Sequence, residues 1–203
     1  MRGRFITFEG IDGSGKSTQL AASAAALRAT GIDVLETREP GGTALGESLR
    51  ALLLERPMSP LTETLLMFAA RIEHIDEVIV PALGTGHWVL CDRFTDATYA
   101  YQSGGRGIAP DWIANLEAWV HPTLQPDLTV VIDLDPAQAA VRRSQARRPD
   151  RFEAEDAAFF ERVRDVYLAR ARANPNRFLV VDGARPAAEI LERVVARVKP
   201  WRA

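Results

Sequence analysis

Residues 5–18, Phe-Ile-Thr-Phe-Glu-Gly-Ile-Asp-Gly-Ser-Gly-Lys-Ser-Thr, constrain this chain more than any other stretch. A short apolar run, Phe5 to Phe8, stops at Gly10; Gly13 and Gly15 follow, then Lys16, Ser17 and a helical pattern. Gly10, Gly15, Lys16 and Ser17 satisfy the phosphate-binding pattern G-x-x-x-x-G-K-[ST] at every specified position. The spacing has a physical cause. Side chains would hold a polyphosphate away from the backbone N–H groups, so Gly10, Gly13 and Gly15 are interleaved with Ile11, Asp12 and Ser14. The free N–H groups and dipole of the following helix, which opens on Lys16, Ser17 and Thr18, attract the anion. Lys16 reaches the β and γ phosphates, and the Ser17 hydroxyl is placed to ligate Mg²⁺.

The chain has 203 residues, 47% of them hydrophobic, enough for one substantial core. A single domain spanning 1–203 with one mobile excursion is expected, rather than two domains. A net charge of −2 gives no reason to expect nucleic acid or an anionic membrane as partner. Cys91 is the sole cysteine, which rules out an internal disulfide and fits a reducing compartment. The N-terminus runs directly into the first strand with no signal-peptide core, and no apolar run is long enough to cross a bilayer. A soluble cytoplasmic protein is the expectation.

The phosphate loop is followed by a helix over 16–30 closed by Gly31, then a short buried strand at Val34-Leu35. A turn-rich loop, Thr37 to Thr43, precedes a helix with Leu45, Leu49, Leu52 and Leu53 on one face. A long helix is expected over 61–83, with Leu65, Phe68, Ile72, Ile75 and Ile79 at spacings of three and four. Trp88 to Cys91 reads as a strand with Asp92-Arg93 at its end, 95–102 as helix, and 103–107 as a flexible loop before a helix near 111–119. Leu128 to Leu134 is a strand and Pro136 opens a helix. A charged segment broken by Pro149, a helix to about 173, a strand Phe178 to Val181 and a helix from Pro186 complete the chain. Apolar strands alternating with helices predict an α/β fold, a five-stranded parallel sheet with helices on both faces. Ligands gather at the C-terminal ends of such strands, where residues 10–17, 38–43, 92–93 and the loop after 134 converge.

A phosphate loop alone does not separate a kinase from a GTPase switch or an ATP-driven machine. Phosphoryl transfer needs charge neutralisation and in-line positioning more than covalent chemistry. A strand-end Arg93 can fork onto an acceptor phosphate while Asp92 holds Mg²⁺ waters or orients the acceptor. Arg147, Arg148 and Arg151, around Pro149, read either as a solvated basic turn or as a lid that closes over ATP and places guanidiniums on the moving phosphoryl group. No N-K-x-D guanine-reading motif is present.

Seven stretches in this order resemble the bacterial thymidylate kinases: Phe8 to Thr18, Thr37 to Thr43, Leu66 to Arg71, Cys91 to Gln102, Gly104 to Gly107, Pro126 to Thr129 and Asp150 to Glu153. The resemblance covers nearly the whole chain. It implies a P-loop NTPase three-layer sandwich, ATP as phosphoryl donor with Mg²⁺, dTMP as acceptor, a homodimer, and a lid around 143–155.

It also implies roles. Asp12 would accept a hydrogen bond from the sugar 3′-hydroxyl, and Arg50 and Arg93 would hold the dTMP phosphate. Arg71 would donate to a thymine carbonyl oxygen, Thr98 and Gln102 would read the base edge, and Tyr101 would crowd the sugar 2′ position. The family's thymine-stacking phenylalanine lies four residues before the arginine; here Met67 stands there and Phe68 lies three before, so Phe68 is either the stacking ring or a core residue. This phosphate loop carries Asp12 and Ser14 where some relatives have a basic residue, so the catalytic charge, with Lys16 and Arg93, falls to lid arginines such as Arg147 and Arg151, as in the enterobacterial type. Arg143 would stack on the purine, beside an adenine-side loop at Asp182 to Pro186. A kinase with another acceptor, and a nucleotide switch or binding module, are the competing readings.

Overall fold

A computed structural model describes residues 2–144 and 151–202 of the chain. At its centre lies β1 (Phe5–Glu9), whose five residues are all buried. An apolar strand with no exposed face must be covered from both sides, and its neighbours do this. The sheet is wholly parallel in the order β2–β3–β1–β4–β5, with β2 (Val34–Arg38), β3 (Trp88–Asp92), β4 (Leu128–Asp133) and β5 (Phe178–Asp182). The register pairs Arg38 with Asp92, Phe8 with Asp92, Glu9 with Val131 and Asp133 with Asp182, so all five strands end at one edge.

Helix α1 (Lys16–Arg28) and the last helix, α9 (Ala187–Val198), cover one face, packing Leu20, Leu27, Ile190 and Val194 on Ile6, Phe8, Leu90 and Val130. The other face carries α8 (Ala157–Ala173), whose Phe159, Phe160, Val163 and Tyr167 pack with Ile11 and Val131. Beside them Phe5, Val89, Cys91 and Phe94 meet Ile75, Ile79 and Leu83. The expected five-stranded parallel sheet between two helical layers is therefore the observed one.

Strand β2 is longer than the Val34-Leu35 pair because it is an edge strand, whose outward Glu36 and Arg38 hide it from an apolar count. Helix α2 (Ala44–Glu55) is capped by Thr43, whose side chain accepts from the Gly46 N–H. The expected 61–83 helix is three pieces: α3 (Pro60–His74), a π-helical stretch (Ile75–Ile79) and α4 (Val80–Gly84). Pro81 has no N–H to continue an α-helical ladder, and the wider winding before it takes up the mismatch.

A second π-helical stretch (Tyr99–Gly105) continues α5 (Thr95–Thr98). Residues 103–105 are thus wound, not the loop expected from their glycines. A side chain at Gly104 would meet Val166, and one at Gly105 the Phe159 ring, so these glycines permit close packing against α8. Asp96 fixes the same segment from the other side: its buried carboxylate pairs with Arg170 at 2.6 Å and Arg177 at 2.7 Å. Helices α6 (Pro110–Val120) and α7 (Pro136–Ser144) and a short 3₁₀ helix (Lys199–Arg202) complete the described elements.

Candidate active site

The phosphate loop joins β1 to α1 at the sheet's C-terminal edge. Gly10 has φ 133°, and a side chain there would run into the Ile132 carbonyl. Gly13, expected from the sequence only as a phosphate-binding glycine, also serves packing. Its φ is 86°, and a side chain there would meet the Ala139 carbonyl of α7 and the Arg143 stem, so its lack of one lets α7 close on the loop. Gly15, at φ 100°, precedes α1 in a left-handed conformation that turns the chain into the helix. Lys16 is buried; its Nζ donates to the Ile11 carbonyl at 3.1 Å and lies 3.7 Å from Asp12 Oδ1. Burial, then the nearby Arg93 charge, lower its affinity for a proton. Ser17 and Thr18 are placed on the first turn of α1, beside the buried Ser14 of the loop. Ser17 Oγ donates to Asp92 Oδ2 at 2.6 Å, which joins residues 75 positions apart at the mouth of the loop.

Arg93 is the hub. Its φ of 71° is a left-handed conformation that costs a non-glycine residue energy and persists only where surroundings enforce it. They do: its guanidinium donates to Asp12 Oδ1 at 2.6 Å, Tyr101 Oη at 2.9 Å, Tyr167 Oη at 3.1 Å and the Gly10 carbonyl at 3.2 Å. It also lies over the Tyr101 ring, 4.6 Å from the centroid. Asp12 accepts from Tyr101 Oη at 2.8 Å. Burial alone would raise the Asp12 pKa, but Arg93, Lys16 and the Tyr101 hydroxyl hold it well below the usual carboxylate range.

Next to this hub opens a cavity. Asp12, Arg50 and Arg93 stand on its wall, with Arg71, Thr98, Tyr101 and Gln102 and the apolar Met67, Phe94 and Phe152. Arg50 also donates to the Pro40 carbonyl at 3.0 Å. Arg71, 2% exposed, is fixed from three sides: Nε donates to Glu39 Oε2 at 2.7 Å, Nη2 donates to Thr98 Oγ1 at 3.1 Å, and the guanidinium lies over Phe68 and Phe94. Its Nη1 is buried without a partner among the described residues. His74 Nδ1 lies 3.0 Å from Glu39 Oε1, and Nε2 2.6 Å from Thr37 Oγ1. Burial opposes ionisation of Glu39, but Arg71 and His74 outweigh it and lower its pKa.

The sequence-predicted residues thus meet around one cavity and one loop, with these differences. Phe68 is buried with Tyr99 and Ile113 and is not on the cavity wall, where Met67 stands. Met67 and Arg71 are one helical turn apart on the cavity face, whereas Phe68 is rotated toward α6 and carries Arg71 on its ring. Arg151 turns to α2 and α3, not the phosphate loop: Nη1 is 2.7 Å from Glu63 Oε2, and Nε and Nη2 donate to the Leu53 carbonyl at 3.1 and 2.8 Å. A buried carboxylate at Glu63 requires such a cation. Arg143 Nη1 donates to the Asp12 carbonyl at 2.8 Å, and its guanidinium lies 4.1 Å from the Phe160 centroid. Arg147 and Arg148 lie outside the described residues. Sequence reasoning missed Glu39, His74, Glu63 and Tyr167. The one available signal was the cost of a guanidinium in the apolar α3, which demands a carboxylate from elsewhere.

A phosphate loop on a 2–3–1–4–5 parallel sheet, beside a cation-lined cavity, defines a P-loop phosphotransferase. The family model for thymidylate kinase matches residues 8–194. The chain is 58% identical over 198 residues to the thymidylate kinase of Bordetella petrii, covering 98% of this chain and 96% of that protein. It is 54% identical over 203 residues to that of Methylobacillus flagellatus, covering 100% of both. The crystal structure of thymidylate kinase from Ehrlichia chaffeensis superposes with a TM-score of 0.81 at 35% identity, covering 98% of this chain and 100% of that one. The chain belongs to the thymidylate kinase family.

Proposed function

We propose, residue by residue, how this chain carries out its family's reaction, the transfer of the ATP γ-phosphoryl group to dTMP, giving dTDP and ADP on the route to dTTP. The observation that carries the assignment is the Arg93 fork, which reaches Asp12 in the phosphate loop and Tyr101 on the cavity wall at once. A group bound to either side lies next to the same cation.

ATP lies with its phosphates on the Gly10–Thr18 loop and the start of α1, where the Gly15 backbone leaves the anion room and Lys16 meets the β and γ phosphates. Arg143, already seated on the loop backbone, takes the purine side with the 182–186 turn, to which Arg142 is tied through the Gly183 carbonyl at 3.1 Å. The dTMP phosphate lies between Arg50 and Arg93, its 3′-hydroxyl donates to Asp12, and Tyr101 fills the space a 2′-hydroxyl would need. The unpartnered Arg71 Nη1 donates to a thymine carbonyl, Thr98 and Gln102 meet the base edge, and Met67 packs on the ring.

A dTMP phosphate oxygen attacks the γ-phosphorus in line, the bond to the β–γ bridging oxygen breaks, and that oxygen leaves on ADP. The phosphate dianion is already a nucleophile, so no side chain need remove a proton. Lys16 and Arg93 stabilise the charge that spreads over the equatorial oxygens. Ser17 Oγ and Asp92 Oδ2 are hard oxygen donors that fit Mg²⁺, which when bound neutralises phosphate charge. Among the described residues no cluster of three or more His, Cys, Asp or Glu side chains exists, so phosphates and water would complete its coordination.

We read the chain as a single domain whose lid function belongs to segment 143–155, with Arg151 anchoring its C-terminal root on Glu63 and Leu53. Leu45 and Leu52 on α2, Leu61, Leu65 and Ile72 on α3, and Trp112 and Trp119 on α6 are exposed; this supports a homodimer built on these helices. Among the described residues no helix is long and apolar enough to cross a membrane, which fits a cytoplasmic location.

Assays of ADP formation from ATP with dTMP, dCMP, dGMP or a sugar as acceptor test the reading. Clear preference for dTMP is expected. Nucleotide hydrolysis that does not depend on an acceptor, or preference for dGMP or a sugar, would overturn it.

A further inference from the structure

An amide can face a base with either end, and something must choose. Gln102 lines the cavity beside Thr98 and Arg71 and is 1% exposed. Its Nε2 donates to Glu63 Oε1 at 2.9 Å. Glu63 comes from the first turn of α3 and is fully buried. Two further neighbours are cations: Arg151 Nη1 stands 2.7 Å from Oε2, and Arg106 Nε 3.5 Å from Oε1. A carboxylate between two guanidiniums accepts hydrogen bonds and has none to give. It therefore selects the nitrogen end of the Gln102 amide and turns the carbonyl oxygen away. Among the described residues that oxygen accepts no hydrogen bond.

We propose that Glu63 is a positioning residue for base selection: by holding the Gln102 amide in one orientation, it presents a fixed acceptor to the N3–H of thymine and sets the site against cytosine. The inference rests on the base-reading role assigned to Gln102 above. Thymine and uracil carry a proton on N3, whereas cytosine carries a lone pair there. A cytosine ring in the same pose would set that lone pair against the Gln102 carbonyl. Rotating the amide would not relieve the clash, because its oxygen would then face the Glu63 carboxylate. Cytosine also replaces one of the flanking carbonyls with an amino group, which the Arg71 donor cannot use. A buried polar group left unpaired is what makes such discrimination steep.

Steady-state kinetics with dTMP and dCMP as acceptors test this on the full chain, its Glu63→Gln and Gln102→Leu variants and the double variant. The amide at position 63 in Glu63→Gln accepts either end of Gln102. The ratio of kcat/KM for dTMP over dCMP should therefore narrow about tenfold or more, with KM for dTMP rising more than kcat falls. Gln102→Leu should narrow the same ratio, and the double variant no further than Gln102→Leu alone. A ratio unchanged in Glu63→Gln but narrowed in Gln102→Leu overturns the role of Glu63 and leaves the reading of Gln102 standing. A ratio unchanged in Gln102→Leu overturns both. Further narrowing in the double variant would show that Glu63 acts through general structure and would also overturn the proposal. If circular dichroism shows Glu63→Gln unfolded, Glu63→Asp carries the same expectations, since it keeps the charge but draws it back from the amide.

Discussion

Glu9 ends the central strand with a buried carboxyl: Oε1 accepts from the Phe94 N–H at 2.7 Å and Oε2 from Tyr167 Oη at 2.8 Å. Burial, then the Asp96 carboxylate, push its pKa up to about 8 from the ordinary 4.5. The folded chain thus holds a proton that the unfolded chain has released above 4.5. That contribution to stability is complete below the unfolded value and is lost as pH rises through about 8. Asp12 works in the opposite sense, since its depressed pKa contributes stability that is lost on acidification. Glu9→Gln keeps an acceptor for Phe94 and a polar partner for Tyr167 while removing the titration. The melting temperature of the native chain should fall relative to that of Glu9→Gln as pH rises from about 4.5 to about 8; parallel curves would contradict this. From the sequence, Arg71 stood out through the family resemblance, and the cost of a guanidinium in an apolar helix called for a partner, but Glu39 as that partner was not legible. The two lie 32 residues apart, and no local pattern records an ion pair closed by tertiary folding.

The phosphate loop and the central strands were legible because each obeys a short, strict rule: glycine spacing for one, continuous apolar runs for the others. The two π-helical stretches were not. Hydrophobic spacing of three and four is the same for a helix that later widens, and glycines 104 and 105 look like a loop until α8 is in place. The second duty of Gly13 was hidden for the same reason, since α7 lies more than a hundred residues further along the chain. At Gly105 a methyl group would press on the Phe159 ring. Gly105→Ala should therefore destabilise the fold by about 1–3 kcal/mol, as overpacking does. It should also raise KM for dTMP, because Tyr101 and Gln102 sit in the same widened helix. Thermal unfolding and kinetics of this one variant check both effects, and Gly104→Ala, facing Val166, provides a parallel case.

At the scale of the whole molecule, the helices beside the cavity also carry exposed apolar side chains. Trp119 is 80% exposed and Trp112 55%, with Leu65 at 49% on neighbouring α3. In the homodimer proposed above these residues are covered, so Leu65→Glu together with Trp119→Glu should yield a monomer by sedimentation equilibrium, with the parent chain at twice that mass. If both sediment alike, the association runs through another face.

The loop's cations already have a tenant. Asp12 sits on Arg93 at 2.6 Å and 3.7 Å from Lys16, so neither is a bare charge awaiting an anion. If ATP and dTMP bind as proposed, their phosphates share Arg93 and Lys16 with that carboxylate and do not meet an unscreened charge.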